Sequence, residues 1–260
     1  MRVLSILFLG LCTVNLRAAD PSRSSDPLRN ARQCLLVSTR DWESLGGSMR
    51  LFACERRDSV WREFGSPRRV VVGKSGLGWG RGLVDTESLP GPRKKEGDGK
   101  APAGVFRLIS AFGYAPTCHT KLPYLALSPD IEAIDDPQSR YYNQLVSRSK
   151  IASPDWRTSE HMFRSDDRYK WGIVVAHNMP PQPGAGSCIF LHIWNNPPGP
   201  TVGCTAMPEK NIVDLIGWLD PKRQPVLIQM PSEAYGILHD TWHLPPDRPA
   251  RFASGSILLR

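Results

Sequence analysis

No run of apolar residues in this chain is long enough to span a bilayer, which takes roughly 20 residues in a helix. The first such run, Val3 to Leu11, stops short and no later one is long enough. The Cys-x-x-Cys and His-Glu-x-x-His spacings of common zinc sites are absent, as are the Gly-x-Ser-x-Gly elbow of serine hydrolases and any internal repeat. His239-Asp240-Thr241-Trp242-His243 has paired histidines but Asp in place of the general-base Glu. The glycine run Gly73 to Gly80 fails as a phosphate cradle. A P-loop needs glycine where Arg68 stands, and a dinucleotide fingerprint needs it where Arg81 or Leu83 stands. No nucleic-acid recognition motif occurs, and the basic residues are dispersed rather than interleaved with aromatics.

What is present begins with Met1 to Ala19, a short basic start, an apolar stretch and a small-residue end that read as a signal peptide cleaved after Ala18 or Ala19. The expectation is export to a periplasm or cell wall, with no stable membrane insertion afterwards. Losing residues 1–19 removes Arg2 and Arg17 and leaves 31 basic against 25 acidic residues, a charge of +6. A basic exported protein suits an anionic partner such as cell-wall polymer. Residues 20–32 read as a polar leader, 33–231 as one domain and 232–260 as a Pro-rich, irregular tail. The 24 prolines and the short β-branched runs predict a mainly β fold with few short helices. Ser139 to Ser147 reads as one of those helices, and 84–103 as a long surface loop.

Export permits disulfides. Five cysteines remain after cleavage: Cys34, Cys54, Cys118, Cys188 and Cys204. Cys34 and Cys54 flank a hairpin centred near Ser44 and fall roughly opposite each other. Cys118 and Cys188 are left as a second pair, and Cys204 stays free.

The chemistry concentrates between Ser187 and Trp218. Cys188 to Trp194 alternates, with Ile189, Leu191 and Ile193 on one side and Cys188, Phe190, His192 and Trp194 on the other, so His192 is expected to face a neighbouring layer or cleft. A Pro/Gly loop follows, then Gly203-Cys204, then a helical pattern through Ile212, Leu215, Ile216 and Leu219. A thiol near an imidazole and a helix N-terminus is expected to have a lowered pKa and to act as a nucleophile, with amides at Gly203 and Cys204 as oxyanion donors. His192 is the natural base. His177, ending another apolar run, is a second candidate with Asn178 and Trp194 for substrate contact. A zinc site of His177, His192 and Cys204 is a rival reading, though no cofactor is expected.

Phe190-Leu191-His192 with Thr201-Val202-Gly203-Cys204-Thr205-Ala206-Met207 resembles the active-site motif of the L,D-transpeptidase catalytic domain (YkuD-type). Asp98 to Phe106 resembles the segment that opens the family's catalytic sheet. Asp135-Asp136-Pro137, Tyr141-Tyr142-Asn143 and Ser159-Glu160-His161-Met162 resemble segments of one branch. The resemblance covers roughly 33–231. It implies a YkuD-like β-sandwich or mixed sheet and peptidoglycan stem peptides as substrate. By position it makes Cys204 the nucleophile and His192 the proton carrier, with Thr201, Gly203 and Thr205 in support. The sequence departs from the family where Ile193-Trp194 follow the histidine and where Val202 stands. Three rivals stay open: a hydrolase of the same fold, a wall-binding protein without turnover, and a zinc hydrolase.

Overall fold

Strands carry most of the ordered backbone, as the β-branched runs require. The computed structural model describes residues 26–56, 60–196 and 198–246. The signal peptide, most of the leader and the end of the tail lie outside them. The strands are β1 (Gln33–Thr39), β2 (Gly46–Ala53), β3 (Arg62–Glu63), β4 (Arg68–Val71), β5 (Leu77–Trp79), β6 (Ala101–Gly113) and β7 (Tyr124–Ala126). They continue with β8 (Ile131–Ile134), β9 (Leu145–Ser147), β10 (Ser159–His161), β11 (Trp171–Val175), β12 (Phe190–Ile193), β13 (Thr205–Met207) and β14 (Val226–Pro231). The α-helices are α1 (Glu209–Trp218) and α2 (Ser232–Leu238).

One mixed sheet runs β1-β14-β6-β11-β12-β13-β4-β2, and β1 also pairs with β2, so the path closes on itself. The mainly β, mixed-sheet fold expected from the sequence is thus observed, its path closed into a barrel with parallel and antiparallel pairings. Closure removes the exposed edges of those strands. Leu35, Leu36 and Val37 are all buried because β1 is covered on both faces, which gives a continuous apolar run rather than alternation. A second sheet, β10-β8-β9, stands outside the barrel. Between the two lies a separate apolar layer that includes Phe112, Ala133, Met162, Tyr169, Phe190 and Cys204. This layer positions the site.

Helix α1 buries Ile212, Leu215 and Ile216 and packs on β11 and β12. It does not abut Cys204, because β13 comes between.

Three expectations need correction. Residues 139–147 form turns leading into β9 rather than a helix. The Asp136 carboxylate accepts from the amides of Gln138 and Arg157, and Asn143 takes a left-handed φ of 63°. Such side-chain bonds compete with helical ones. The tail is not irregular from Pro231: α2 forms, and Tyr235, Leu238, Trp242 and Leu244 join the barrel core. The end of the leader also packs, through Leu28 and Ala31.

The five cysteines among the described residues, Cys34, Cys54, Cys118, Cys188 and Cys204, are free thiols. The β1–β2 register sets Cys34 opposite Phe52, so Cys54 falls on a diagonal. Diagonal Cα atoms are ~7–8 Å apart, beyond ordinary disulfide reach. Cys118 packs against the barrel core, whereas Cys188 packs in the layer outside it. Neither expected pairing is made.

Candidate active site

The alternation in β12 works as read. Leu191 and Ile193 enter the barrel core, while Phe190 and His192 point outwards beneath the small sheet. Parallel pairing sets Leu191 beside Thr205 and His192 beside Ala206. That register brings Cys204, one residue before β13, alongside Phe190, whose amide donates to Cys204 Sγ at 3.3 Å. The thiol in turn reaches the Cys188 carbonyl at 3.7 Å. Cys204 and His192 line one cleft of about 380 Å³, together with Trp194, Thr201, Gly203 and Tyr169.

The loop before Cys204 is held by one hydroxyl. Thr201 Oγ1 donates to the Cys204 carbonyl at 2.6 Å and accepts from the Gly203 amide at 3.1 Å. The Gly203 N–H is therefore engaged within the loop, not aimed at a substrate.

His192 Nδ1 lies 2.8 Å from the Ile193 carbonyl oxygen. A carbonyl only accepts, so Nδ1 carries the proton and Nε2 keeps its lone pair. The Tyr169 ring stands edge-on to the imidazole at 5.3 Å between centroids. Burial pushes His192 down to about 4. It also pushes the Cys204 thiol up to about 12, with the Glu160 charge adding to the rise and the Phe190 amide, Lys94 and Arg168 opposing it. The expected lowering by a helix N-terminus does not occur, because β13 separates the thiol from α1. At neutral pH the pair rests as uncharged thiol and uncharged imidazole.

A scan against protein-family models matches the L,D-transpeptidase catalytic domain (YkuD) over residues 47–228. The chain belongs to this family. Membership brings L,D-transpeptidase-type chemistry and a peptidoglycan substrate at the level of the family. No curated protein and no solved structure matches the chain.

Within this L,D-transpeptidase domain several expected residues stand elsewhere. Thr205 points into the barrel, where its hydroxyl donates to Gln229 Oε1 at 2.7 Å, so it supports the barrel rather than an oxyanion. His177 and Asn178 are buried away from the cleft. His177 Nε2 meets the Ala185 carbonyl at 3.0 Å, and burial pushes the ring down to about 4. Asn178 accepts from Arg81 at 2.8 Å and donates to the carbonyls of Gln182 and Gly186 at 2.9 Å each. Both residues brace the loop that feeds β12. His177 therefore does not join His192 and Cys204, and among the described residues no group of three or more His, Cys, Asp or Glu is placed to hold a metal ion. Trp194 does line the cleft, with the Arg69 guanidinium 6.0 Å from its ring.

Sequence reasoning missed Glu160, Tyr169, Lys94 and Asp135 in the cleft wall. Glu160 and Asp135 lay in segments flagged by resemblance, without a role. Lys94 was hidden in the charged loop, yet it is buried and bonded to Asp98 at 2.6 Å. It also missed why Asn143 matters. Its amide donates to the carbonyls of His177 and Asn178 at 2.9 Å each and accepts from the Cys188 amide at 2.8 Å, joining the two loops that frame β12.

Proposed function

We propose that the protein is an exported cysteine acyltransferase of peptidoglycan stem peptides, with Cys204 as nucleophile and His192 as general base and acid. The observation that carries this is the shared cleft: thiol and imidazole open into one space, both uncharged, with His192 Nε2 free to accept. As Cys204 Sγ bonds to a stem-peptide carbonyl carbon, its proton passes to Nε2. The imidazolium then protonates the leaving amine, the C–N bond breaks, and a thioester remains on Cys204. In a tetrapeptide stem the leaving group is the terminal D-alanine, a choice that rests on the family. The Cys204 amide, at the head of β13, is the natural donor to the developing oxyanion.

Export rests on the Met1 to Ala19 pattern; among the described residues no helix is long and apolar enough to cross a membrane. A non-catalytic wall-binding role draws on one observation, the deep burial of Cys204.

Release of D-alanine from a tetrapeptide stem tests the reading. The parent should release it, and His192→Ala should lose the rate by ~10²-fold or more, the typical weight of general acid–base catalysis. Release that is unaffected by His192→Ala would remove His192 from the mechanism. No release from either protein would favour the binding role.

A further inference from the structure

The small sheet presents one face to the cleft. Ala133 on β8 lies opposite Glu160 on β10, and Asp135 follows Ala133 by two residues, so all three line the same wall. The acidic side chains around this wall are engaged, with one exception. Glu160 accepts from Tyr169 and Arg164 at 2.8 Å each. Glu96 accepts from the hydroxyls of Tyr142 and Ser187. Asp98 is paired with Lys94, and Asp166 with Arg164 and Arg168. Asp135 has no such tie: among the described residues its Oδ1, buried in the wall, has no hydrogen-bond partner. Its neighbour Asp136 differs, being spent on the turn amides and Arg157.

The two cations of the cleft nearest Cys204 in effect, Lys94 and Arg168, are occupied by Asp98 and Asp166. Lys74 is exposed on the opposite side, on the loop whose backbone bonds to Thr201. Lys74 thus stands by the Thr201 loop and Asp135 on the small sheet. Cys188 and Glu160 line the same cleft as Asp135; burial raises the pKa of that thiol and that carboxyl, and the Asp135 charge raises both further.

We propose that Asp135 is the specificity-determining residue for the acyl acceptor: it draws an ammonium-bearing acceptor into the cleft and so directs the Cys204 thioester to aminolysis rather than to water. This rests on the thioester reading above. A buried carboxylate oxygen lacking a partner is costly unless a donor arrives, and an ammonium supplies charge and donors together. One ammonium proton leaves to solvent. A second passes to His192 Nε2 as the nitrogen bonds to the thioester carbon. The C–S bond then breaks, and the imidazolium returns that proton to the Cys204 thiolate, while the third stays on the amide.

The test compares the parent with Asp135→Asn and Asp135→Glu. Each is acylated by a tetrapeptide stem, and the ratio of aminolysis to hydrolysis is read against the concentration of a lysine-containing stem as acceptor. The ratio is internal to each acyl-enzyme, so changes in acylation drop out. Asp135→Asn should lower it about tenfold through a higher acceptor KM, and Asp135→Glu should recover most of it. With hydroxylamine, uncharged at neutral pH, all three should give similar ratios. An unchanged ratio in Asp135→Asn, or an equal loss with hydroxylamine, would overturn the proposal. An adduct on Cys204 that only hydrolyses in the parent would overturn it while leaving the thioester reading intact. No adduct in the parent would overturn both.

Discussion

Acid should destabilise this fold through its two buried histidines, and His177 allows the effect to be isolated. Burial holds both His177 and His192 at about 4, against an ordinary 6.5. Between those values the unfolded chain carries a proton on each ring that the folded chain does not. Stability is therefore full above pH 6.5 and falls as pH drops towards 4. At ~1.4 kcal/mol per pH unit, the window corresponds to roughly 3 kcal/mol for each ring. That is a large share of the ~5–15 kcal/mol that holds a domain together. In His177→Gln the side-chain amide can still donate to the Ala185 carbonyl, as His177 Nε2 does, but nothing titrates. Urea unfolding at pH 7 and pH 4 measures the difference. The parent should lose roughly 3 kcal/mol more than His177→Gln over that interval. Equal losses would show that His177 does not stay neutral in the fold, and would refute the reasoning.

Two further outcomes follow from the loops that frame the site. Thr201→Val removes both hydrogen bonds that hold the Gly203–Cys204 loop, worth ~1 kcal/mol each; kcat/KM for D-alanine release should fall at least ~10-fold, whereas Thr201→Ser should stay within ~3-fold. A Thr201→Val enzyme of parental activity would remove the hydroxyl clamp from the account. Asn143→Ala should cost roughly 3 kcal/mol in denaturant unfolding, because three buried bonds to the His177, Asn178 and Cys188 backbone are lost together. A loss under ~1 kcal/mol would mean that these loops are held by other contacts.

The parts of the molecule legible in sequence were those fixed by local pattern. Alternation along Phe190 to Ile193 placed His192 outside the barrel, and the Gly203-Cys204 motif placed the thiol. The amphipathic stripe of Ile212, Leu215 and Ile216 placed α1. What depends on register and on distant chain was not legible. Cys34 and Cys54 were read as opposite from a hairpin centre near Ser44, but pairing Cys34 with Phe52 moves that centre by one residue and turns a facing pair into a diagonal one. The expected activation of Cys204 failed for a similar reason. Three residues of β13 separate it from α1, and burial against Phe190 and the small sheet then outweighs any cation nearby. His177 looked like a partner of His192 because both end apolar runs. Adjacent antiparallel strands β11 and β12 run in opposite senses, however, so their C-terminal ends lie at opposite ends of the pair.

The central claim is that Cys204 carries an acyl group in turnover, and intact mass tests it most directly. Mature protein and Cys204→Ala are each incubated with a carbapenem or a purified tetrapeptide stem under non-reducing conditions, and both are weighed. A covalent mass increase in the parent, absent from Cys204→Ala, is the predicted result. An adduct that persists in Cys204→Ala, or none in the parent while its Cys204 thiol is free, would contradict the account.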